Sequence, residues 1–218
     1  MKKFALTTFA LAALAFSSGA FAESNINTAS PGPTSTTARL DFSIVIPRVL
    51  FLQVGTGTNL ANNTAIDLLT FTVPAASLGN TVAVAGTGGN LTNGAVTVKV
   101  FGNAGDITLS ASTAGALNDG VPADTIPWSE IAVASTAPGA ASAGYIATAI
   151  PHPAIPLSGA GVANTITATN KVVRQEGIWT FSYKNTIAYA AGTYGGAGAA
   201  SPGAGLNNGR IVYTATLP

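Results

Sequence analysis

The sequence predicts an all-β fold, a single antiparallel β-sandwich with long Gly/Ala-rich loops, and three observations predict it. Short runs of apolar residues alternate with polar ones at period two, as half-buried strands do. Twenty-five Gly and 12 Pro punctuate the 218 residues at close intervals, so that no run continues far. No apolar pattern of helical period extends beyond about two turns after the N-terminal segment. Many short strands with frequent turns favour two packed sheets or a barrel.

The N-terminal segment reads as a targeting signal. Lys2 and Lys3 begin it, Phe4 to Phe16 form an apolar stretch, and Ala20-Phe21-Ala22 fits the small-x-small cleavage rule. Residues 1–22 are therefore expected to be removed, with the mature chain starting at Glu23. Ser17, Ser18 and Gly19 interrupt the apolar run short of the roughly 20 residues a membrane-spanning helix needs. Residues 23–39 follow, rich in Ser, Thr, Asn and Pro, and read as a flexible arm.

The sandwich domain is expected over residues 40–218. Leu40, Phe42, Ile44 and Ile46 alternate with Asp41 and Ser43 and end at Pro47, which predicts a first strand. Residues 49–54 predict a second, and residues 66–73 a third. The stretch 74–79 reads as a connector with one helical turn, and 81–85 as a short strand. In residues 95–101, Val96, Val98 and Val100 share one side while Thr97 and Lys99 share the other. The loop Gly102-Asn103-Ala104-Gly105 then predicts a hairpin in which residues 106–111 pair back on this strand. Further strands are expected over 128–133, 145–150 and 165–173, giving ten or eleven in all.

The last fifth of the chain carries the best candidate for the core nucleus. Trp179, Phe181 and Tyr183 share one side of one alternating run. Ile211, Tyr213, Ala215 and Leu217 share one side of another, across a glycine-rich loop. Large aromatics dominate core energetics, and this sequence has few: aromatic residues are 7% of the chain.

Charge and cysteine content narrow the classes of function. Only 8% of residues are charged and the formal net charge is +1, so no electrostatic footprint for nucleic acid exists. Soluble domains usually carry about a quarter charged residues; a chain this poor in charge has little to oppose self-association. Cysteine is absent, which excludes disulfides, a thiol nucleophile and thiolate metal sites. No segment after the signal reads as a membrane span.

Reactive groups are sparse. His152 is the only histidine, lies between two prolines, and reads as a surface-loop residue rather than the base of a serine hydrolase. The acidic residues fall at turns or on polar strand sides and show no pairing suited to glycoside hydrolysis. Asn118, Asp119, Gly120 and Asp124, or Asn103 with Asp106, could place oxygens around calcium. These residue types populate turns for backbone reasons first. No cofactor, metal or catalytic residue is expected, and the chain is not expected to be an enzyme.

Trp179-Thr180-Phe181-Ser182-Tyr183, then Ala191-Gly192-Thr193-Tyr194-Gly195, then Gly209-Arg210-Ile211-Val212-Tyr213-Thr214 resembles the tail of small exported bacterial β-sandwich proteins. These include spore-coat-U and pilin-like subunits and WxL-type cell-surface domains. The resemblance spans about 40 residues and implies a non-enzymatic surface or extracellular protein with a pilin-like, Ig-like sandwich. The chain departs from many pilins in having no cysteine.

The reading is a secreted structural subunit of an extracellular filament, fimbria or biofilm matrix, after periplasmic transit in a Gram-negative bacterium. It would self-associate, or join other surface subunits, through strand edges. Leu40, Phe42, Ile44 and Ile46 form the candidate assembly strand, since strand addition uses backbone hydrogen bonds for affinity and alternate side chains for register. The same segment could instead be the first strand of its own sheet. A second reading is a cell-surface binding module that attaches to cell-wall polymer or glycan through exposed aromatics such as Trp128 or Tyr194.

Overall fold

The computed structural model describes residues 23–28, 31–121, 124–198 and 203–218; the expected signal segment 1–22 lies outside them. The chain divides after Ile46 into two compact units. Among the described residues, the second, Pro47–Pro218, is all-β apart from three short 3-10 turns. Its main strands are β1 (Leu50–Val54), β2 (Ala95–Gly102), β3 (Ile107–Thr113), β4 (Ile131–Thr136), β5 (Asn164–Ile166), β6 (Val173–Tyr183) and β7 (Ile211–Thr216).

They form two main sheets. In the first, β1 pairs antiparallel with β2, β2 with β6, and the last six residues of β6 with β4. Two short additions complete it: Val84–Ala85 runs antiparallel to Ser182–Tyr183, and Ile146–Ala147 runs parallel to Gln175–Glu176. In the second, β3 is central, with β7 on one side and β5 and Gly159–Ala160 on the other. Two further two-residue ladders, Leu69–Thr70 with Thr87–Gly88 and Leu117–Asn118 with Thr125–Ile126, stand apart.

The expected hairpin of residues 95–101 and 106–111 does not form. β2 and β3 belong to different sheets, and β2 already has β1 and β6 on its two edges. Residues 103–106 carry the chain from one sheet to the other. Alternation identifies the inward side of both strands but not their ladder partners, and here the inward sides meet across the core. Val96, Val98 and Val100 of β2 join Ile107 and Leu109 of β3 in one apolar cluster with Ile150, Ile166, Val173, Trp179 and Phe181.

Other expectations shift in detail. Residues 66–73 yield only Leu69–Thr70 as strand, and residues 74–79 hold the 3-10 turn Ala75–Ser77. Trp128–Glu130 is a 3-10 turn leading into β4, not strand. β6 starts at Val173 and runs for 11 residues, longer than its aromatic half suggested. Gly177 sits in its middle, where a side chain would come within 2.8 Å of the Thr148 carbonyl. Its absence lets residues 148–150 cross the strand and bury Ile150 completely.

Trp179 is fully buried and donates its indole N–H to the Ile150 carbonyl at 2.7 Å. Phe181 and Tyr183 are buried beside it. Tyr213 faces Trp179 across the core, ring centroids 5.1 Å apart, so the two C-terminal runs meet face to face and not as ladder partners. Ile211, Ala215 and Leu217 are partly buried on the same side of β7.

Lys99 lies on the central strand β2, not at an edge, and on the side of the sheet away from the core. It stands opposite Gln53 on β1 and Glu176 on β6. Its ammonium donates to Ser142 Oγ at 2.8 Å and lies 3.9 Å from Glu176, whose carboxylate also accepts the Ser142 N–H at 2.6 Å. Both side chains are nearly covered, 12% and 10% exposed. A covered pair loses most when one partner is removed, because the other charge stays desolvated. Glu176→Ala is therefore expected to lower unfolding stability by about 3–5 kcal/mol, and Lys99→Met with Glu176→Leu by much less. Urea denaturation of both variants checks this; equal losses would contradict it.

Candidate assembly interface

Residues 40–46 form no strand and pair with none among the described residues. Their apolar side chains are exposed: Leu40 64%, Phe42 85%, Ile44 86% and Ile46 76%. The first expected strand is thus strand-coded sequence without a sheet, and the second compact unit begins at Pro47. Within the first unit, the residues ahead of this segment are tied to one another. Arg39 makes a two-pronged contact with the Glu23 carboxylate at 2.7 and 3.0 Å, and Thr36 donates to the Asn25 carbonyl at 3.0 Å. Exposed pairs of this kind add little stability.

The second unit has two incomplete edges. Among the described residues β1 pairs with β2 alone and β7 with β3 alone, so each strand keeps one side of its backbone off the ladders. Both strands border a cleft of about 490 Å³, lined by residues 51–54 of β1 and residues 210–213 leading into β7, with the loop through Thr56 and Ile66 as its third wall. Asp67 fixes that loop by accepting the Thr56 N–H at 2.7 Å and the Thr56 hydroxyl at 2.8 Å. Gln53, in the cleft wall, is buried; its Nε2 donates to the Gly55 carbonyl at 2.8 Å and its Oε1 has no partner among the described residues. An unmet buried acceptor costs about 1–3 kcal/mol.

The connector into β1 is held by a residue that sequence reasoning placed only in a hairpin loop or a calcium site. Asn103 Oδ1 accepts the Val49 N–H at 2.8 Å, and its Nδ2 donates to the Pro47 carbonyl at 2.7 Å. Three of the other proposed calcium ligands accept backbone N–H groups instead. Asn118 caps Gly120, Asp119 caps Val121, and Asp106 accepts the Ala168 N–H. Among the described residues no group of three or more His, Asp or Glu side chains could hold a metal ion.

Trp128, a candidate sugar-stacking residue, is buried with its indole N–H on the Gly115 carbonyl at 2.7 Å. Tyr194 stacks edge-on against Tyr189, centroids 6.5 Å apart. Among the described residues no helix is long and apolar enough to cross a membrane. Comparisons with protein-family models, with curated proteins and with solved structures give no match.

His152 is not the surface-loop residue its prolines suggested. Its ring packs edge-on against Trp179, Phe181 and Tyr213 at 4.5, 5.6 and 5.4 Å, and Nε2 shares a 2.7 Å hydrogen bond with the Tyr213 hydroxyl. Burial lowers its pKa from 6.5 to about 4 and raises that of the Tyr213 phenol. Between those two pH values the unfolded chain binds a proton that the folded chain excludes. Stability therefore falls as pH drops through the window and levels off below it. Allowing for solvent screening, the loss is about 2 kcal/mol. His152→Phe is expected to remove that part of the change in urea midpoint between pH 7 and pH 4; an unchanged difference would contradict the assignment.

Proposed function

We propose that the chain is a secreted structural subunit of an extracellular filament, fimbria or biofilm matrix, and that copies join by giving residues 40–46 to a neighbour. In this reading the two main sheets make up one antiparallel β-sandwich, the N-terminal signal directs export, and the work is done by backbone and sheet faces rather than by a catalytic group or cofactor. The single observation that carries it is the alternating segment Leu40, Phe42, Ile44 and Ile46, apolar on one side, exposed and unpaired. Exposed apolar sequence of high strand propensity is an association site or a liability, and a low-charge surface does little to prevent either.

The open edges of β1 and β7 support the same reading from the receiving side. A strand added along either edge would meet unladdered backbone groups there, with apolar side chains nearby, including Leu52 and Val54 of β1 and Tyr213 of β7. Alternate residues of the donor would then point into the core while Asp41, Ser43 and Val45 face out. The donor and the receiving edges occur in the same polypeptide, so the partner this chemistry fits is a second copy.

Removing residues 23–46 tests this. The shortened chain, Pro47–Pro218, is expected to keep the near-ultraviolet circular dichroism of its buried tryptophans and to remain monomeric by light scattering. The chain from Glu23 is expected to form multimers, visible as fibres by electron microscopy. Multimers of the shortened chain, or a monomeric longer chain at high concentration, would contradict the proposal.

A further inference from the structure

We propose that the outer edge of β4 is a further association surface and that its partner is β4 of a second copy, the two strands antiparallel with Val133 opposite the other copy's Val133. This goes beyond the donation reading and involves none of residues 40–46. β4 borders the first sheet on the side away from β1 and pairs, among the described residues, with β6 alone. Two bonds fix which of its backbone groups are spare. The Lys184 N–H donates to the Glu130 carbonyl at 2.8 Å, while the Phe181 N–H points the other way, to the Gly94 carbonyl beside β2. Even-numbered residues of β4 therefore face β6, and Ile131, Val133 and Ser135 turn their backbone groups outward. The Ile131 N–H closes the 3-10 turn on the Trp128 carbonyl. The Val133 and Ser135 N–H groups and the carbonyls of all three residues are left without partners among the described residues.

Edge strands that stay single carry a charge, a proline, a bulge or a covering segment. β4 reads Ile-Ala-Val-Ala-Ser-Thr and keeps an unbroken register with β6, so the first three are missing. An open groove of about 270 Å³ lies along it, lined by Ile131 and Val133 together with His152, Pro153, Ala154 and Ile155. A two-fold axis through the Val133 pair satisfies the spare groups reciprocally. The two Val133 residues exchange both their bonds, and each Ser135 N–H meets the other copy's Ile131 carbonyl. This register sets the other copy's Val133 side chain against the apolar groove. A shift of one pair toward the C-terminus would set Ser135 and Ala137 there, and a shift the other way would call on the Ile131 N–H, already bound. A strand of six residues is far short of the roughly 20–30 residues a side of a stable interface. The contact therefore holds copies that are crowded or already joined, and leaves dilute chains apart.

Two variants of the chain from Glu23, Ala132→Cys and Ala134→Cys, test this when oxidised at high protein concentration, singly and mixed. In the proposed register Ala132 stands opposite the other copy's Ala134, a non-hydrogen-bonded pair with Cα atoms about 4.5 Å apart, within disulfide reach. The mixture is expected to yield about tenfold more disulfide-linked dimer than either variant alone, since a shifted pairing loses one or two backbone bonds. Adding Ser135→Pro to both should bring the mixture down to the single-variant yield. That change deletes an outward N–H and spares the β4–β6 ladder, and an unaltered near-ultraviolet circular dichroism spectrum verifies the fold. Equal yields from all three samples, or a yield that Ser135→Pro leaves untouched, would overturn the inference. Ala134→Cys linking to Ile44→Cys better than to Ala132→Cys would overturn it too, by giving this edge to the donor segment. Either of the first two failures leaves donation standing, and a failure of donation leaves the β4 links expected as before.

Discussion

Backbone hydrogen-bond pairing is the constraint on which this structure turns. Polar backbone groups near a core need partners, and the central strands satisfy that demand on both edges. β2 lies between β1 and β6, and β3 between β7 and β5. Among the described residues β1 and β7 each lack a neighbour on one side, and they border the same cleft. Elsewhere in the chain, residues 40–46 have the composition of a strand and no ladder at all. A missing neighbour and an unplaced strand in one polypeptide are complementary, and the proposed assembly follows from that complementarity.

The core that supports these edges is thin and aromatic. Trp179, Phe181, His152 and Tyr213 form a contact group across the two sheets, with valines of β2 and Ile107 and Leu109 of β3 around it. With no disulfide in the chain, packing of this group carries much of the rigidity that β1 and β7 need to present a preformed cleft. The sides away from the core are organised differently. There Lys99, Glu176 and Ser142 bind one another, and the loop carrying Ser142 covers charged residues on the two central strands.

Alternation made the inward sides of β2, β3, β6 and β7 legible, because period-two burial depends only on local sequence. Valines 96, 98 and 100 and the run from Trp179 to Tyr183 were readable for that reason. Ladder partners were not, since β2 pairs with strands about 45 residues before and 80 after it and the short loop to β3 mimicked a hairpin. His152 was misread because two prolines mark a loop, whereas Ile150 and Pro153, both buried, were the local hint that the loop passes under the core. Of the candidate interface, the donor was visible as a pattern in residues 40–46. The cleft was not, because it is made by strands from opposite ends of the sequence. Asn103 was noticed for its turn propensity, and its grip on residues 47–49 emerges only when β1 lies beside β2.

The most direct test uses the natural lack of cysteine. One preparation carries Ile44→Cys in the free segment, and a second carries Ile211→Cys in the cleft wall; the two are mixed and oxidised. Disulfide-linked dimers between the two preparations are the expected result, with few formed when the second cysteine replaces Ala134 on the exposed face of β4. Cross-linking that is absent, or equally efficient at Ala134, would contradict the assignment of the β1–β7 cleft as the seat of a neighbour's strand.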